Sequence, residues 1–244
     1  MGELIAIVSG KGGTGKTSVC AGIAEALSLM GQRVLCIDCD VGLRNLDIAL
    51  GLSELSAISF LDVCRGNYSL DMALQHPVYP KLAFLTAPVN CSMEEIDHKE
   101  FGNMLEQARG KFDYILLDAP AGVEAGFALT AKAADCIVVV TGADPASMRD
   151  AARAGEILEL MGKKNVRLIV NRIQKRMITD MEQTIDDIMD KTALPLLGIV
   201  PEDINVTLAA AFRQPVLGYT KRGAAAAFRR IARRIQGRRV PVRL

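Results

Sequence analysis

A ten-residue stretch near the N-terminus, SGKGGTGKTS, has the residue types of a phosphate-binding loop. Residues Gly10–Thr17 match the spacing G-x-x-x-x-G-K-[ST], in which backbone N–H groups and a helix N-terminus surround phosphate oxygens. Lys16 would reach the β- and γ-phosphates, and the Thr17 hydroxyl would bind Mg²⁺. Because Lys16 alone supplies the charge that the pattern needs, the second lysine of the loop, Lys11, requires another explanation. A tight glycine turn without a ligand is the alternative interpretation.

Two acidic segments follow apolar runs that are typical of buried strands. The run IDCD continues into VGLRNLD and contains Asp38, Asp40 and Asp47. The run FDYILLDAPAG places Asp118 at a second strand end. Since ligands of parallel α/β sheets bind at the carboxyl ends of the strands, we select Asp40 to orient or deprotonate an attacking water and Asp118 as a metal-side carboxylate. The alternatives are a solvated loop for the first segment and a helix-capping role for Asp118.

The hydrophobic pattern indicates the elements that must position these residues. Seven short apolar runs are separated by helix-length segments: LIAIVS, RVLCID, KLAFLT, YILLD, CIVVV, VRLIVN and LLGIV. Continuous apolar runs alternating with helices predict a three-layer, doubly wound α/β fold with a mostly parallel sheet. Apolar residues recur with helical period from Thr17 to Gly31, so the glycine loop lies between a strand and a helix. We expect a single domain over residues 1–244.

Composition restricts the class of protein. Half of the 244 residues are hydrophobic and 23% are charged, which is ordinary for an α/β domain. Because no apolar run reaches about 18 residues and the N-terminus is strand-like, we expect a soluble, cytoplasmic protein. Its six cysteines would stay reduced there, and two histidines argue against imidazole-based zinc or triad chemistry. For the C-x-x-C pair Cys36 and Cys39 we favour plain packing.

The C-terminal residues differ in charge from the rest of the chain. Residues 204–244 contain ten basic residues and no acidic one, whereas all 28 acidic residues fall within residues 1–203. Within AAAAFRRIARRIQGRR, apolar residues follow helical spacing among arginines, which predicts a basic helix and tail over residues 223–244. Such a helix could lie on an anionic bilayer. The alternative, which we favour, is the last helix of the domain with Phe228 and Ile231 on the core.

Together, four segments resemble the deviant Walker A ATPases of the MinD/ParA family, which are P-loop NTPases. The segments are KGGTGKT with its Lys11, IDCDVGLRNLD, YILLDAPAGVE and the motif PED at residues 201–203. The resemblance extends from residue 1 to about residue 240. It implies ATP and Mg²⁺ as cofactors, hydrolysis of ATP to ADP and phosphate, and a homodimer in the ATP state.

The resemblance also implies roles for individual residues. The phosphates would be held by Gly12, Gly13, Thr14, Gly15, Lys16, Thr17 and Ser18. The metal side would comprise Thr17, Asp40 and Asp118, and the adenine and ribose pocket would comprise Asn171, Arg172, Pro201 and Asp203. Catalysis would depend on Lys16, Asp40 and Lys11, the last reaching across a two-fold interface to the nucleotide of the other subunit. Because an asparagine at a strand end is often only a turn residue, the role of Asn171 depends mainly on the resemblance.

The function that the resemblance implies is a dimerising switch ATPase in placement of the division septum. Its implied partners are a protein activator of hydrolysis, a septation inhibitor and an anionic surface at the inner face of the cell membrane. Septum-placing relatives usually have a membrane-targeting helix after the last domain helix, and the sequence does not continue into one. A ParA-like ATPase that positions DNA or protein cargo is the alternative. An iron–sulfur carrier is a third interpretation, disfavoured because residues 118–126 contain no cysteine.

Overall fold

One sheet of eight strands runs through the computed structural model, which describes residues 1–41, 43–89, 91–174 and 184–243. Gly42, within the first acidic segment, and Leu244, the end of the predicted domain, lie outside the described residues. The strands are β1 (Glu3–Val8), β2 (Val34–Asp38), β3 (Leu74–Gln75), β4 (Leu82–Leu85), β5 (Tyr114–Asp118), β6 (Cys136–Thr141), β7 (Val166–Ile173) and β8 (Leu196–Pro201). The sheet order is β3-β4-β2-β5-β1-β6-β7-β8, and all neighbouring strands are parallel except β3 and β4.

Helices cover both faces of this sheet. In the described part of the chain they are α1 (Lys16–Leu29), α2 (Leu46–Ala49), α3 (Phe60–Cys64), α4 (His98–Lys111), α5 (Ala125–Ala133), α6 (Pro145–Leu160), α7 (Ile185–Thr192), α8 (Ile204–Ala211), α9 (Val216–Tyr219) and α10 (Gly223–Ile235). Two short 3₁₀ helices, Leu70–Met72 and Met93–Glu95, complete the set. None of the described helices has both the length and the hydropathy that spanning a lipid bilayer requires.

Burial on both faces explains the continuous apolar runs of the strands. In β1, Leu4 and Ala6 enter a core shared with α4, α5 and α6, whereas Ile5 and Ile7 enter a second core shared with α1 and α10. A strand between two cores needs an apolar side chain at nearly every position. The predicted three-layer, doubly wound α/β fold with a mostly parallel sheet is confirmed.

All seven predicted strands are present, and the structure adds an eighth. Strand β3 has two residues, and Leu74 and Gln75 pair antiparallel with Phe84 and Ala83 of β4. An edge strand of this length has no apolar run that would reveal it. The sequence therefore predicted the parallel part of the sheet and missed its short antiparallel edge.

The basic C-terminal helix α10 packs onto the domain. Phe228 lies so close to α1 that a Cβ at Gly22 would come within 2.2 Å of its ring. Ile231 lies over β8, where a Cβ at Gly198 would come within 2.4 Å of its side chain. Both apolar residues are 1% exposed. The apolar face of α10 is thus covered by its own domain and is not available to a bilayer, as the last-domain-helix interpretation predicts.

The arginines of α10 and of the residues that follow it include two groups with different surroundings. Three of them donate to backbone carbonyl oxygens: Arg229 to Leu217 at 3.3 Å, Arg230 to Arg243 at 2.9 Å and Arg234 to Leu197 at 2.5 Å. Exposed arginines at the end of the chain form what we call the terminal basic patch, namely Arg233, Arg238, Arg239 and Arg243.

Candidate functional site

The glycine loop turns sharply between the central strand β1 and α1. Gly13 and Gly15 have φ values of +82° and +83°, a left-handed conformation that favours glycine. A Cβ at Gly15 would also come within 2.3 Å of Asn171 Nδ2. No side chain caps the N-terminus of α1, and its first turn has no acidic residue. The N–H groups and the positive end of the helix dipole are therefore left for an anionic ligand.

Lys16 is buried beside a carboxylate from a neighbouring strand. Its Nζ lies 2.5 Å from Asp118 Oδ1, and the two side chains are only 6% and 1% exposed. Burial lowers the pKa of Lys16, but the charge and the hydrogen bond of Asp118, together with the smaller effects of Cys20 and Asp40, outweigh burial and the pKa is raised. Burial raises the pKa of Asp118, against the opposing charge of Lys16. The predicted catalytic lysine and the predicted metal-side carboxylate are thus brought together.

Asp38 is the last residue of β2 and Asp40 lies two residues after it, but the two carboxyl groups have different surroundings. Asp38 is paired in register with Asp118 and is 1% exposed. Its oxygens accept hydrogen bonds from the backbone N–H groups of Asp40 at 2.9 Å and Leu46 at 3.1 Å, so it fixes the loop that follows. Burial, and then the charge of Asp118, raise the pKa of Asp38 to about 7. Asp40 is half-buried and lines the cleft described next, and its pKa is also raised by burial.

A cleft of about 370 Å³ lies against the glycine loop. At one end it is lined by Lys16, Thr17 and Asp40. Apolar side chains from three further helices line the rest, namely Ile48, Ala49, Val206, Ala209, Ala210 and Val216. A polar, cationic end joined to an apolar end is the lining that a phosphorylated aromatic ligand requires.

A second cavity of about 330 Å³ lies on the other side of the loop and contains Lys11. Lys11 Nζ lies 3.3 Å from Asp144 Oδ1, and the side chains are 36% and 47% exposed. Asp144 is the N-cap of α6 and accepts a hydrogen bond from the Ser147 N–H at 3.0 Å. Lys11 also lines the larger cleft, so both lysines of the loop reach that cleft, Lys16 from a buried ion pair and Lys11 from a partly exposed one.

The four residues predicted for the adenine and ribose pocket support the loop and α8. Asn171 Nδ2 donates to Thr14 O at 2.8 Å, and Arg172 Nη1 donates to Gly13 O at 3.2 Å. Asp203 caps α8, accepts from the Asn205 N–H at 3.0 Å and from the Ala224 N–H at 2.9 Å, and follows Pro201 at the end of β8. The larger cleft is lined by none of these four residues; Asn171 and Arg172 line the second cavity. Their contact with a nucleoside remains a prediction.

Two polar atoms at the loop fit a bound phosphate and its metal ion. Asp118 Oδ2 and Thr14 Oγ1 are buried, and neither has a hydrogen-bond partner among the residues that the structure describes. Buried polar atoms are rarely left without a partner. Thr17, which follows Lys16, adds a hydroxyl, and its Oγ1 lies 3.5 Å from Lys16 Nζ. Mg²⁺ prefers oxygen ligands, so the residues at hand are suited to Mg²⁺ bound together with phosphates.

Asp144 and the apolar wall of the cleft were not predicted from the sequence. Asp144 is followed by Pro145, the pattern of an N-cap and the first residue of a helix, so the element could have been predicted. Its contact with Lys11 spans 133 positions and has no local signal. Val206 and Val216 belong to short helices without a strong pattern, and their meeting at the cleft is set by tertiary packing.

The C-x-x-C cysteines are packed in the interior. Cys36 lies on β2 and Cys39 directly after it, and both are fully buried. Burial raises the pKa of the Cys39 thiol well above its usual value, which disfavours the thiolate that a cluster needs. The packing interpretation of this pair agrees with the structure.

The order of the strands and the loop that follows the central one assign the protein to the P-loop NTPases. The family model "CobQ/CobB/MinD/ParA nucleotide binding domain" matches residues 5–216. The septum site-determining protein MinD of Synechocystis sp. is 36% identical over 244 residues, covering 99% of this chain and 92% of that protein. The chain therefore belongs to the MinD/ParA family and, within it, to the septum site-determining MinD proteins.

Solved structures agree with this assignment. The MinC:MinD cell division protein complex of Aquifex aeolicus contains a chain with a TM-score of 0.91 and 35% identity, with 99% of each chain covered. The septum site-determining protein MinD of Pyrococcus horikoshii, complexed with Mg-ADP, has a TM-score of 0.83 and 28% identity, with 96% of each chain covered. The similarity thus includes the glycine loop, the strand-end carboxylates and the last helix.

Proposed function

We propose that the protein is a switch ATPase that dimerises with ATP, hydrolyses it to ADP and phosphate with Mg²⁺, and acts in placement of the division septum. The contrast between the two lysines of the loop carries this proposal. Lys16 is buried against Asp118, whereas Lys11 is partly exposed and pairs with Asp144 of α6. One lysine serves the nucleotide of its own chain, and the other is placed to serve a second chain.

In this proposal the polar residues around the loop divide three tasks: binding the phosphates, holding Mg²⁺ and orienting the attacking water. The backbone of residues 12–18 and the Lys16 ammonium hold the phosphates. Thr17, with Asp40 and Asp118 acting through water, holds Mg²⁺, which when bound neutralises charge on the phosphates. Asp40 also orients the attacking water, because it lines the cleft and is more exposed than Asp38.

The nucleoside end of the ligand packs against the apolar part of the cleft. Pro201 and Asp203 act there by fixing the start of α8, whose Val206 lines the cleft. Asn171 and Arg172 act by holding the loop carbonyls of Thr14 and Gly13. Support for all four roles comes from these contacts and from the family resemblance.

Release of Lys11 from Asp144 requires little free energy. An exposed ion pair contributes roughly 0–1 kcal/mol, so breaking it is a small barrier to reorientation. A lysine that meets a partner's triphosphate in a water-excluded interface stabilises far more charge than it does at the surface. ATP would therefore favour the dimer, and loss of the γ-phosphate would weaken it.

The partners follow from the family. A relative has been solved as a MinC:MinD complex, and on that basis we include a septation inhibitor among the partners, together with a protein activator of hydrolysis. We also include reversible attachment of a cytoplasmic protein to the anionic inner face of the cell membrane. The terminal basic patch supports that attachment through charge, since the apolar face of α10 is buried.

The test is to measure ATP turnover and oligomeric state of the same preparation. Light scattering should give a dimer with ATP and a monomer with ADP, and release of phosphate should require Mg²⁺. A chain that binds ATP and remains a monomer at every nucleotide concentration would rule out the switch. Turnover that persists in excess chelator would rule out the metal-dependent mechanism.

A further inference from the structure

Glu25 is a fully buried carboxyl group in the middle of α1. It is 0% exposed, and its neighbours along the helix are apolar residues of the second core. A buried carboxyl is costly to desolvate, and an apolar residue of similar size would pack there without that cost. Its presence therefore calls for a task that an apolar side chain cannot perform.

The hydrogen bond that Glu25 accepts indicates this task. Glu25 Oε2 accepts from the Leu217 N–H at 2.8 Å, and Leu217 is the second residue of α9. That N–H is one that an N-cap side chain normally satisfies, but the N-cap of α9 is Pro215, which has no acceptor in its side chain. Glu25 thus caps α9 from another helix, 192 positions away in the chain.

The capped helix is part of the wall of the nucleotide cleft. Val216, the first residue of α9, lines the cleft together with Lys16 and Thr17, which begin α1. Glu25 lies on the same rigid helix as these two residues. One side chain therefore sets the distance between the phosphate-binding end of the cleft and its apolar wall.

We infer that Glu25 is a positioning residue for the nucleotide site, holding Val216 against the nucleoside so that the cleft fits a nucleotide and not only its phosphates. This inference rests on the proposed nucleotide-dependent function. It predicts that Glu25 affects binding of a nucleotide and leaves binding of a bare diphosphate unchanged, because Val216 belongs to the apolar lining of the cleft and not to the loop that holds the phosphates.

The protonation state of Glu25 affects how firmly α9 is held. Burial raises the pKa of Glu25 to about 8, while the N–H groups of Leu217 and Val216 and the charge of Arg229 oppose the rise. The titratable groups that face it are Tyr79, from the segment before β4, and Arg229, from α10. When α9 detaches, water reaches the carboxyl and its pKa falls towards the ordinary value. Rising pH up to about 8 therefore favours the detached state.

The experiment is calorimetric titration of the full chain with Mg-ADP and, separately, with inorganic pyrophosphate, at pH 6.5 and pH 8.5. Glu25→Ala should weaken the affinity for ADP about fivefold or more and leave the affinity for pyrophosphate unchanged. Glu25→Gln keeps an acceptor oxygen and cannot ionise, so it should match the wild type at pH 6.5 and bind ADP more tightly than the wild type at pH 8.5. Ser28→Ala, also buried on α1, is the matched control and should behave as wild type.

Three other results would each contradict a different part of the inference. If Glu25→Ala binds ADP as the wild type does, or weakens ADP and pyrophosphate equally, the positioning role is wrong. If Glu25→Gln follows the wild type at both pH values, the dependence on protonation is wrong. If the wild type itself binds no ADP, the proposed function fails first and the inference with it.

Discussion

At the scale of single residues, the two loop lysines differ in what their ion pairs contribute. The Lys16–Asp118 pair is almost fully buried, so removing one partner would leave an uncompensated charge in the interior, at roughly 3–5 kcal/mol. The Lys11–Asp144 pair is exposed on both sides and contributes roughly 0–1 kcal/mol. Substitution of Lys16 should therefore change both the stability of the fold and the binding of nucleotide. Substitution of Lys11 should change dimer formation with little change in nucleotide binding.

Lys11→Ala should abolish the ATP-bound dimer while nucleotide affinity changes less than about threefold, because only a weak surface pair is lost. Size-exclusion chromatography with light scattering measures the first quantity and calorimetry measures the second. Asp144→Ala is the control, since it removes the other partner of the same pair and should leave the ATP dimer in place. A Lys11→Ala dimer of full strength would refute the role in trans.

Asp40→Ala should keep ATP bound, leave dimers undissociated and reduce turnover at least about 100-fold, because a water-positioning carboxylate is lost. Phosphate release and light scattering in one time course measure both effects. Asp47→Ala is the matched control from the same segment, since Asp47 does not line the cleft. Undiminished turnover in Asp40→Ala would remove this residue from the mechanism.

Replacing Glu25 should change the pH dependence of stability. The pKa of Glu25 in the folded protein is raised from the ordinary 4.5 to about 8, so its contribution is full below about 4.5 and is lost as pH rises to about 8. Relative to Glu25→Gln, the wild type should lose roughly 4 kcal/mol of unfolding free energy across that window. Urea unfolding of both proteins at pH 5, 7 and 8.5 measures the difference. A constant difference would show that Glu25 ionises normally.

Residue types and spacing predicted the parts of the site that are local in sequence. The glycine loop, Asp40 and Asp118 could be predicted because the strand ends of a parallel sheet meet at one edge. Glu25 and Asp144 were not, because their partners lie 192 and 133 positions away and no pattern encodes such a distance. Asp38 was noticed as a strand-end acid, but only the register of β2 with β5 shows that it is a buried support.

At the scale of elements, one glycine determines how closely α10 approaches α1. Gly22 lies opposite Phe228, and the ring occupies the space where a Cβ would be, at 2.2 Å. Gly102, on α4, has nothing within 4 Å of the same position. Both glycines lie within helices, so alanine substitutions at the two positions distinguish the effect of close packing from the effect of helix propensity.

Gly22→Ala should destabilise the protein by roughly 1–2 kcal/mol, because overpacking against a fully buried ring exceeds the gain in helix propensity. Gly102→Ala should stabilise it by roughly 0.5–1 kcal/mol, since only propensity acts there. Chemical denaturation measures both. Equal effects at the two positions would mean that α10 is displaced easily and does not pack tightly on α1.

The elements that sequence predicted are those with enough residues to show a period. Strands β1 and β5 and helix α1 were evident from apolar runs and helical spacing. The short helices α2 and α9 and strand β3 have two to four residues each, so they show no period and are stabilised by contacts from elsewhere. Of these short elements, α2 and α9 line the cleft, so part of its apolar wall could not be predicted from a period in the sequence.

At the scale of the whole molecule, positive charge is concentrated near the C-terminus. The ten basic residues of 204–244 have no acidic neighbours in sequence, and four arginines form the terminal basic patch. Exposed arginines attract an anionic surface without inserting into it, and the attraction is screened by salt. Dimerisation would bring two patches to one surface and strengthen binding through avidity.

Co-sedimentation with vesicles rich in anionic phospholipid should be stronger with ATP than with ADP and should be reversed by high salt, because charge and not insertion is responsible. Vesicles of zwitterionic lipid are the control. Arg238→Glu with Arg239→Glu should abolish binding without affecting ATP turnover. Binding that resists high salt would mean that α10 leaves the domain and inserts its apolar face.

Strand β1 is made first but lies in the middle of the sheet, where Ile7 pairs with Asp118 of β5 and Val138 of β6. During synthesis, the second of these neighbours exists only after β6 has left the ribosome, which at about 5–20 residues per second takes on the order of ten seconds. Until then the apolar strand β1, which precedes the glycine loop, lacks at least one of its two neighbours. A nascent chain released before β6 would therefore bind no nucleotide and would be a substrate for chaperones and proteases.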